Sequence, residues 1–127
     1  MAFKGKTVFI TGGSRGIGLS IVKKLASNGA NVVIAAKTTT PKPNLPGTIY
    51  TAAKEIEKAG GRCLPVECDI RFENQIIKAV KACVKAFGGI DICINNASAV
   101  APLPTEATEM KRYDLMQEIN TRGTFLT

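Results

Sequence analysis

The sequence predicts an α/β fold in which helices cover both faces of a parallel β-sheet, giving three layers in the order αβα. Two observations support this prediction. First, the sequence contains short, nearly continuous apolar runs, which are typical of strands buried on both faces. Second, these runs alternate strictly with stretches of helical periodicity, which is typical of βαβ units with right-handed crossovers. The expected order of the four strands across the sheet is 3-2-1-4.

The four predicted strands and the first two helices have clear boundaries in the sequence. The apolar runs that predict strands lie at residues 7–11, 31–36, 62–67 and 90–95. The first helix ends at Asn28-Gly29, a typical C-cap signal. The second helix is expected from about Thr48 to Ala59, before a pair of glycines. These boundaries predict the first two βα units.

The third and fourth helices follow from spacing. The third is predicted from apolar residues at helical intervals before Gly88-Gly89, namely Phe72, Ile76, Val80, Val84 and Phe87. The fourth is expected from Thr108 to Leu126, after two prolines.

Between the second strand and second helix, the loop Thr38–Gly47 contains three prolines and is unusually long. This loop is either a rim over a ligand or a surface insertion.

A glycine-rich loop joins the first strand to the first helix. It reads Thr11-Gly12-Gly13-Ser14-Arg15-Gly16-Ile17-Gly18 and opens the helical pattern. Glycines in this position let the backbone approach a pyrophosphate, and the helix N-terminus offers unpaired N–H groups to the anion. Taken alone, such a loop is equally an ordinary tight turn. In this strand–loop–helix context it predicts a nucleotide site of the Rossmann type.

A second motif, Asn95-Asn96-Ala97-Ser98, ends the fourth apolar run about 80 residues later. Together the two motifs resemble those of the short-chain dehydrogenase/reductase family, and the segment 37–53 is similar to its hydroxysteroid dehydrogenase-like branch. The resemblance implies a doubly wound dinucleotide-binding fold. It also implies hydride transfer between a nicotinamide cofactor and a carbonyl or alcohol, on lipid-like or steroid-like substrates.

The resemblance also implies which residues contact the cofactor. They are Thr11, Gly12, Ser14, Arg15, Gly16, Ile17, Gly18, Lys37, Asp69, Ile70, Asn96 and Ala97. Asp69 matches the acid that the family places beside the adenine ring. Asn120, in Asn120-Thr121-Arg122-Gly123, matches the asparagine of the catalytic tetrad, which holds a water in the proton relay. The alternative for Asn120 is a polar side chain that only satisfies backbone groups in a helix.

The residues at the end of the second strand predict the cofactor. Enzymes that select NAD usually end this strand with an acid that binds the ribose 2′-hydroxyl. Here Ala36 stands at that position, Lys37 follows it, and Arg15 lies in the glycine loop. Two cations and no carboxylate favour a 2′-phosphate, so NADP(H) is the predicted cofactor. The alternative is that Lys37 is an ordinary surface lysine.

The residues that complete the chemistry in the resembling family are not found here. Its catalytic serine and Tyr-x-x-x-Lys pair lie downstream of the asparagine helix, whereas Tyr113 has Gln117 four positions later. We therefore expect residues 1–127 to be the N-terminal, cofactor-binding part of one domain, truncated after the fourth helix and inactive alone. The alternative is a non-catalytic nucleotide-binding or interaction protein of the same fold.

Composition excludes several other classes of function. The net charge is +7, but the 17 basic residues are scattered over polar helix positions, which indicates solvated faces and no nucleic-acid binding. No histidine is present, so histidine-based triads and imidazole metal sites have no basis, and no metal is predicted. No apolar run is long enough for a transmembrane helix.

The cysteines and the resemblance bear on location and assembly. The four cysteines form no C-x-x-C pair, which predicts small core residues in a reducing intracellular compartment: Cys63, Cys68, Cys83 and Cys93. The resemblance implies a peroxisomal protein, with the mitochondrion or cytoplasm as alternatives. It also implies a homo-oligomer when complete.

Overall fold

The computed structural model describes all residues from Met1 to Thr127. A four-stranded parallel sheet forms its centre, and helices cover both faces, which confirms the predicted three-layer Rossmann-type fold. The strands are β1 (Thr7–Thr11), β2 (Asn31–Ala36), β3 (Arg62–Glu67) and β4 (Ile92–Ile94). Their order is β3-β2-β1-β4, as predicted, so β1 and β2 lie in the middle.

The first three helices alternate strictly with the strands, and two further helices follow β4. The helices are α1 (Gly16–Ala26), α2 (Ile49–Lys58), α3 (Glu73–Phe87), α4 (Met110–Met116) and α5 (Thr124–Leu126). A 3₁₀ turn at Thr105–Ala107 precedes α4, and a π-helical segment, Gln117–Gly123, joins α4 to α5. The predicted single helix from Thr108 is therefore helical only from Met110 and is interrupted by a π turn.

Alternating side chains of the central strands divide the core between the two faces of the sheet. Val8 and Ile10 point to the face covered by α1 and α2, whereas Phe9 points to the face covered by α3. Every residue of β1 is buried, as are five of the six residues of β2. Strands buried on both faces explain why these apolar runs are continuous in the sequence.

Local signals set the helix ends. Thr48 caps α2, because its hydroxyl accepts from the backbone N–H groups of Tyr50 and Thr51, both at 3.2 Å. The Thr51 hydroxyl in turn accepts from the Thr48 N–H at 2.8 Å, which completes a capping box. α3 ends at Gly88, whose φ of +87° is a conformation that glycine adopts without strain.

Three sequence predictions need correction. The buried face of α3 consists of Ile76, Ala79 and Cys83, whereas Val84 is 46% exposed. β4 is shorter than the predicted 90–95, because Ile90 is exposed and regular pairing with β1 runs only from Ile92 to Ile94. Cys93, predicted to be a core residue, is exposed, since β4 pairs only with β1 and nothing in the chain covers that side chain.

The remaining cysteines lie deeper, with Cys68 and Cys83 buried and Cys63 half-buried. Burial raises the pKa of the Cys63 thiol to about 12 and that of Cys68 to about 11. Both thiols are therefore neutral at physiological pH. None of the helices has the length and apolar character needed to cross a membrane.

Candidate cofactor site

An open cleft of about 380 Å³ lies at the carboxyl ends of β1, β2 and β3. Ligands of open α/β sheets bind outside this edge, at the point where the strand order reverses. Of the predicted cofactor residues, those that line the cleft are Gly12, Ser14, Arg15, Ile17, Gly18, Lys37, Asp69, Ile70, Asn96 and Ala97. Residues far apart in the sequence are thus brought to one place.

The glycine loop is packed against the turn after β4. A Cβ at Gly12, whose φ is +67°, would lie 2.9 Å from the Cα of Ala97, and one at Gly18 would lie 2.5 Å from Asn96 Nδ2. That Nδ2 donates to the Gly12 carbonyl oxygen at 2.9 Å. A side chain at Gly12 would clash with the Ala97 backbone, and one at Gly18 would displace the Asn96 amide from its hydrogen bond, so the loop and the Asn96–Ala97 turn form one unit.

Thr11 does not line the cleft, but its buried side chain holds the turn after β4, which does. Its side chain is buried, and its hydroxyl oxygen accepts from the backbone N–H groups of Asn96 at 3.2 Å and Ala97 at 3.1 Å. The predicted residue therefore lies behind the site. It is placed to hold the second motif against the first.

The N-terminus of α1 is open to the cleft. No side chain caps it, and its first turn contains no acidic residue. Gly16 does not line the cleft itself, but its φ is +60° and a Cβ there would have no atom within 4 Å, so the space beside it is free. An uncapped helix N-terminus beside open space suits an anionic group such as a pyrophosphate.

Basic and hydroxyl groups meet where β2 ends. Arg15 Nη2 donates to the Thr38 hydroxyl oxygen at 3.2 Å, although the two residues are 23 positions apart. The other terminal nitrogen, Nη1, is buried and has no hydrogen-bond partner. Lys37 lines the same part of the cleft, and Ala36 stands where an acid would otherwise end the strand.

Asp69 lies in the turn between β3 and α3, at the strand end next to that of β2, where the Cys68 N–H donates to the Ala36 carbonyl oxygen at 3.0 Å. The Asp69 carboxylate pairs with Arg71, whose Nη2 donates to Oδ2 at 2.7 Å. This hydrogen bond, with the positive charges of Arg71 and Lys37, holds the pKa of Asp69 below its ordinary value of 3.8. Asp69 is therefore ionised at neutral pH and accepts hydrogen bonds only.

Asn120 lies apart from the cleft, on the π-helical segment. Its side chain is exposed and makes two hydrogen bonds to one residue, accepting from the Ala99 N–H at 2.9 Å and donating to the Ala99 carbonyl oxygen at 2.8 Å. π turns are often found at functional positions. In this chain the amide ties the helix to the segment after β4.

The cleft is also lined by residues outside the predicted set of cofactor contacts: Ala35, Ala36, Thr38, Cys68, Ser98 and Ile119. Of these, Ala36 is the residue that the sequence places at the 2′-position of the cofactor, and Ser98 belongs to the second motif. Most are neighbours of predicted residues, so the edge of the sheet signals them. Ile119 gives no such signal, because it reaches the cleft only through the packing of the last helical segment. Of the proline loop, only Thr38 lines the cleft.

Comparison with known families gives a match over nearly the whole chain. Residues 6–127 match the model of the short chain dehydrogenase family. This chain belongs to that family. It is 62% identical over 123 residues to hydroxysteroid dehydrogenase-like protein 2 of Xenopus laevis, an alignment that covers 97% of the chain and 30% of the relative. The chain therefore spans about a third of the length of that curated relative.

Solved structures agree with this membership. A short chain dehydrogenase from Mycobacterium thermoresistibile is 57% identical, with a TM-score of 0.94, and the match covers 97% of this chain and 44% of that one. An NADH-dependent reductase solved with NAD is 30% identical, with a TM-score of 0.82, over 97% of this chain and 49% of the other. Short-chain dehydrogenases bind a nicotinamide dinucleotide, and the cleft lies where this fold places it.

Proposed function

We propose that this chain is the cofactor-binding part of an NADP(H)-dependent oxidoreductase that moves hydride to or from a carbonyl or alcohol. The observation that carries the choice of cofactor is the buried Arg15 Nη1, which lacks a partner. A buried guanidinium N–H without an acceptor is unfavourable, and a phosphate oxygen would satisfy it. The 2′-phosphate of NADP(H) would supply such an oxygen to Arg15.

The surroundings of Arg15 support this proposal. Lys37 adds a second positive charge, and Thr38, held by Arg15 at 3.2 Å, adds a hydroxyl group at the same rim. Ala36 contributes no carboxylate that would repel a phosphate. Charge-assisted hydrogen bonds to phosphate are worth about 1.5–3 kcal/mol each, which corresponds to roughly ten- to a hundredfold in affinity.

The rest of the cleft fits the remaining parts of a dinucleotide. The N-terminus of α1 would receive the pyrophosphate, beside the free space at Gly16. Asp69 would accept from the adenine amino group, since it is ionised and lines the cleft at the end of β3. Asn96 and Ala97 would border the ribose on the nicotinamide side.

When bound, the reduced nicotinamide supplies the hydride. Asn120 would hold a water molecule of the proton relay, with its helix fixed by the two hydrogen bonds to Ala99. We propose that the serine and the Tyr-x-x-x-Lys pair of the family are contributed by residues outside this chain. The matched region covers 30% of the Xenopus relative and 44% of the Mycobacterium dehydrogenase, so both are more than twice as long as that region.

The name of the Xenopus relative, a hydroxysteroid dehydrogenase-like protein, supports a lipid-like or steroid-like substrate as the working choice. A peroxisomal location and a homo-oligomeric state are parts of the same proposal. Fluorescence microscopy of the tagged full-length protein tests the first. Light scattering tests the second.

The activity is tested on the full-length protein that contains this chain. We expect NADPH fluorescence to decrease when a reactive diketone or a steroid ketone is added, and to decrease much less for Asn120→Ala. Binding of NADPH without any turnover over a broad panel of ketones and alcohols would favour the non-catalytic alternative. Failure to bind either NADPH or NADH would contradict the proposal as a whole.

A further inference from the structure

Arg71 surrounds the carboxylate of Asp69. Its backbone N–H donates to Oδ1 at 3.0 Å, its Nε donates to Oδ1 at 3.1 Å and to Oδ2 at 3.2 Å, and its Nη2 donates to Oδ2 at 2.7 Å. Three donors of one residue therefore hold both carboxylate oxygens. A planar guanidinium in this geometry fixes the plane of the carboxylate as well as its charge.

This arrangement leaves little spare acceptor capacity on Asp69. An ionised carboxylate has about four lone-pair sites. Arg71 supplies three hydrogens, and the Nε hydrogen is shared between the two oxygens, so acceptor capacity for about one further hydrogen bond remains for a ligand. The side chain of Asp69 is only 14% exposed, and the residue lines the cleft, so the free site is available from that side.

The turn that carries both residues is supported from behind by the helical segment that contains Asn120. Arg122 Nη1 donates to the Arg71 carbonyl oxygen at 2.6 Å, across 51 positions of sequence. Beside it, a Cβ at Gly123 would lie 2.5 Å from Ile70 Cδ1, so the helix and the turn are in close contact. This helical segment therefore supports the turn at residues 69–72 in two ways, through a side chain and through close packing.

We propose that Arg71 and Arg122 are positioning residues for recognition of the adenine base. Arg71 orients the Asp69 carboxylate so that its one free acceptor site faces the cleft, and Arg122 holds the Arg71 backbone in place. This inference rests on the proposed function, because it needs a dinucleotide in the cleft. It adds that base selectivity depends on two arginines that do not contact the base.

The chemistry gives a specific consequence. Adenine presents a 6-amino donor, whereas hypoxanthine presents a 6-oxo acceptor at the same position. A carboxylate held with one acceptor site toward that position accepts from the amino group and repels the oxo group. A carboxylate free to rotate loses this discrimination. Base selectivity therefore reports the orientation of Asp69, whereas overall affinity also reports folding and phosphate binding.

The experiment compares NADPH with its hypoxanthine analogue, deamino-NADPH, by fluorescence titration of the full-length protein at fixed salt. For the wild type we expect NADPH to bind about tenfold more tightly. In Arg71→Ala the ratio of the two dissociation constants is expected to fall to within about twofold of one. In Arg122→Ala it should fall by at least about threefold. Arg71→Lys, which keeps the charge, should retain part of the ratio.

Arg112→Ala is the matched control. Arg112 is an exposed arginine on α4 whose side chain makes no hydrogen bond in the structure, so the ratio should be unchanged. If both affinities fall equally in Arg71→Ala, Arg71 is only structural and the inference is wrong. A wild-type ratio near one overturns it as well. Loss of all dinucleotide binding in the wild type would instead contradict the proposed function, so the two failures are distinguishable.

Discussion

Two sides of the sheet differ in how completely the residues of this chain enclose them. The first, here called the adenosine side, lies at the ends of β2 and β3 and includes Arg15 and Asp69; the second, the β4 side, includes β4 and Asn120. β1 is fully buried, and the groups that face the adenosine side, Arg15 and Asp69, are held by short contacts within the chain. β4 has only three residues, none of them buried, and Asn120 beside it is exposed. Under the proposed function, this difference predicts that variants near Arg15 and Asp69 change cofactor affinity, whereas variants near β4 change turnover.

The largest effect is expected at the junction of the two sides. Gly18→Val places atoms where Asn96 Nδ2 now lies, 2.5 Å from an ideal Cβ, and breaks the contact between the glycine loop and the turn after β4. We expect NADPH affinity to fall more than about 100-fold and stability to fall by about 1–3 kcal/mol. Fluorescence titration and thermal unfolding of the full-length protein measure the two effects.

Gly89→Val controls for the general effect of replacing a glycine by valine. Gly89 has no atom within 4 Å of an ideal Cβ and does not have a positive φ, so this variant should bind NADPH as the wild type does. A folded Gly18→Val protein with unchanged NADPH affinity would remove the glycine loop from the account.

A smaller effect, confined to the adenosine side, is expected from Lys37→Asp. The new carboxylate would repel a 2′-phosphate and accept from a 2′-hydroxyl, so the preference for NADPH over NADH should narrow by about 10- to 100-fold. Titration with both cofactors at one salt concentration gives this ratio. Lys42→Asp makes the same charge change on an exposed residue outside the cleft and should leave it unaltered. If the ratio of the two dissociation constants changes equally in both variants, the net charge of the protein, and not the position of Lys37, sets the preference for NADPH.

Asn120→Ala tests whether the β4 side contributes to turnover without contributing to cofactor affinity. Loss of its two hydrogen bonds to Ala99 is expected to lower the free energy of unfolding by about 1–2 kcal/mol. Turnover should fall by about 100-fold, while the dissociation constant of NADPH stays within about twofold. Steady-state kinetics and titration separate these quantities. Thr121→Ala, which removes one hydroxyl contact to Gln117 from the same segment, is the control. A parallel loss of NADPH affinity in Asn120→Ala would place it in the binding site.

The exposed edge of β4 predicts a weaker, concentration-dependent effect. In residues 1–127 made alone, β4 pairs only with β1, so its other edge and Cys93 are open to another copy of the chain. We expect light scattering to detect association, and Cys93→Lys to reduce it. Val84→Lys adds the same charge on the exposed face of α3 and should not. A chain that stays monomeric at high concentration would contradict this prediction.

The smallest effect concerns pH. Because its folded pKa is lowered, Asp69 contributes stability that is fully present above its ordinary pKa of 3.8 and is lost as pH falls through the lower folded value. The difference in unfolding free energy between wild type and Asp69→Asn should therefore be constant near neutral pH and shrink in acid, by less than about 1 kcal/mol. Chemical unfolding at several pH values measures it. A difference that changes around neutral pH would contradict the assigned ionisation.

The sequence predicts best what depends on local pattern. The bounds of β1, β2 and β3 and the glycine loop follow from continuous apolar runs and turn residues. The length of β4 and the exposure of Cys93 do not follow, because a strand with one neighbour carries the same apolar pattern as one with two.

The candidate site divides in the same way. Residues next to a strand end, such as Lys37 and Asp69, were predicted to reach the cleft, and they do. Ile119 and the contact of Arg122 with the Arg71 carbonyl oxygen were not predicted, because they arise from tertiary packing across some 50 residues. The π turn likewise has no periodic signal in so short a segment.

The proposed choice of NADP(H) requires that Arg15 and Lys37 select a 2′-phosphate. It is tested most directly by calorimetric titration of the full-length protein with 2′-phospho-ADP-ribose and with ADP-ribose at one salt concentration, because these ligands lack the nicotinamide. We expect the phosphorylated ligand to bind at least about tenfold more tightly. Equal dissociation constants, or tighter binding of ADP-ribose, would contradict it.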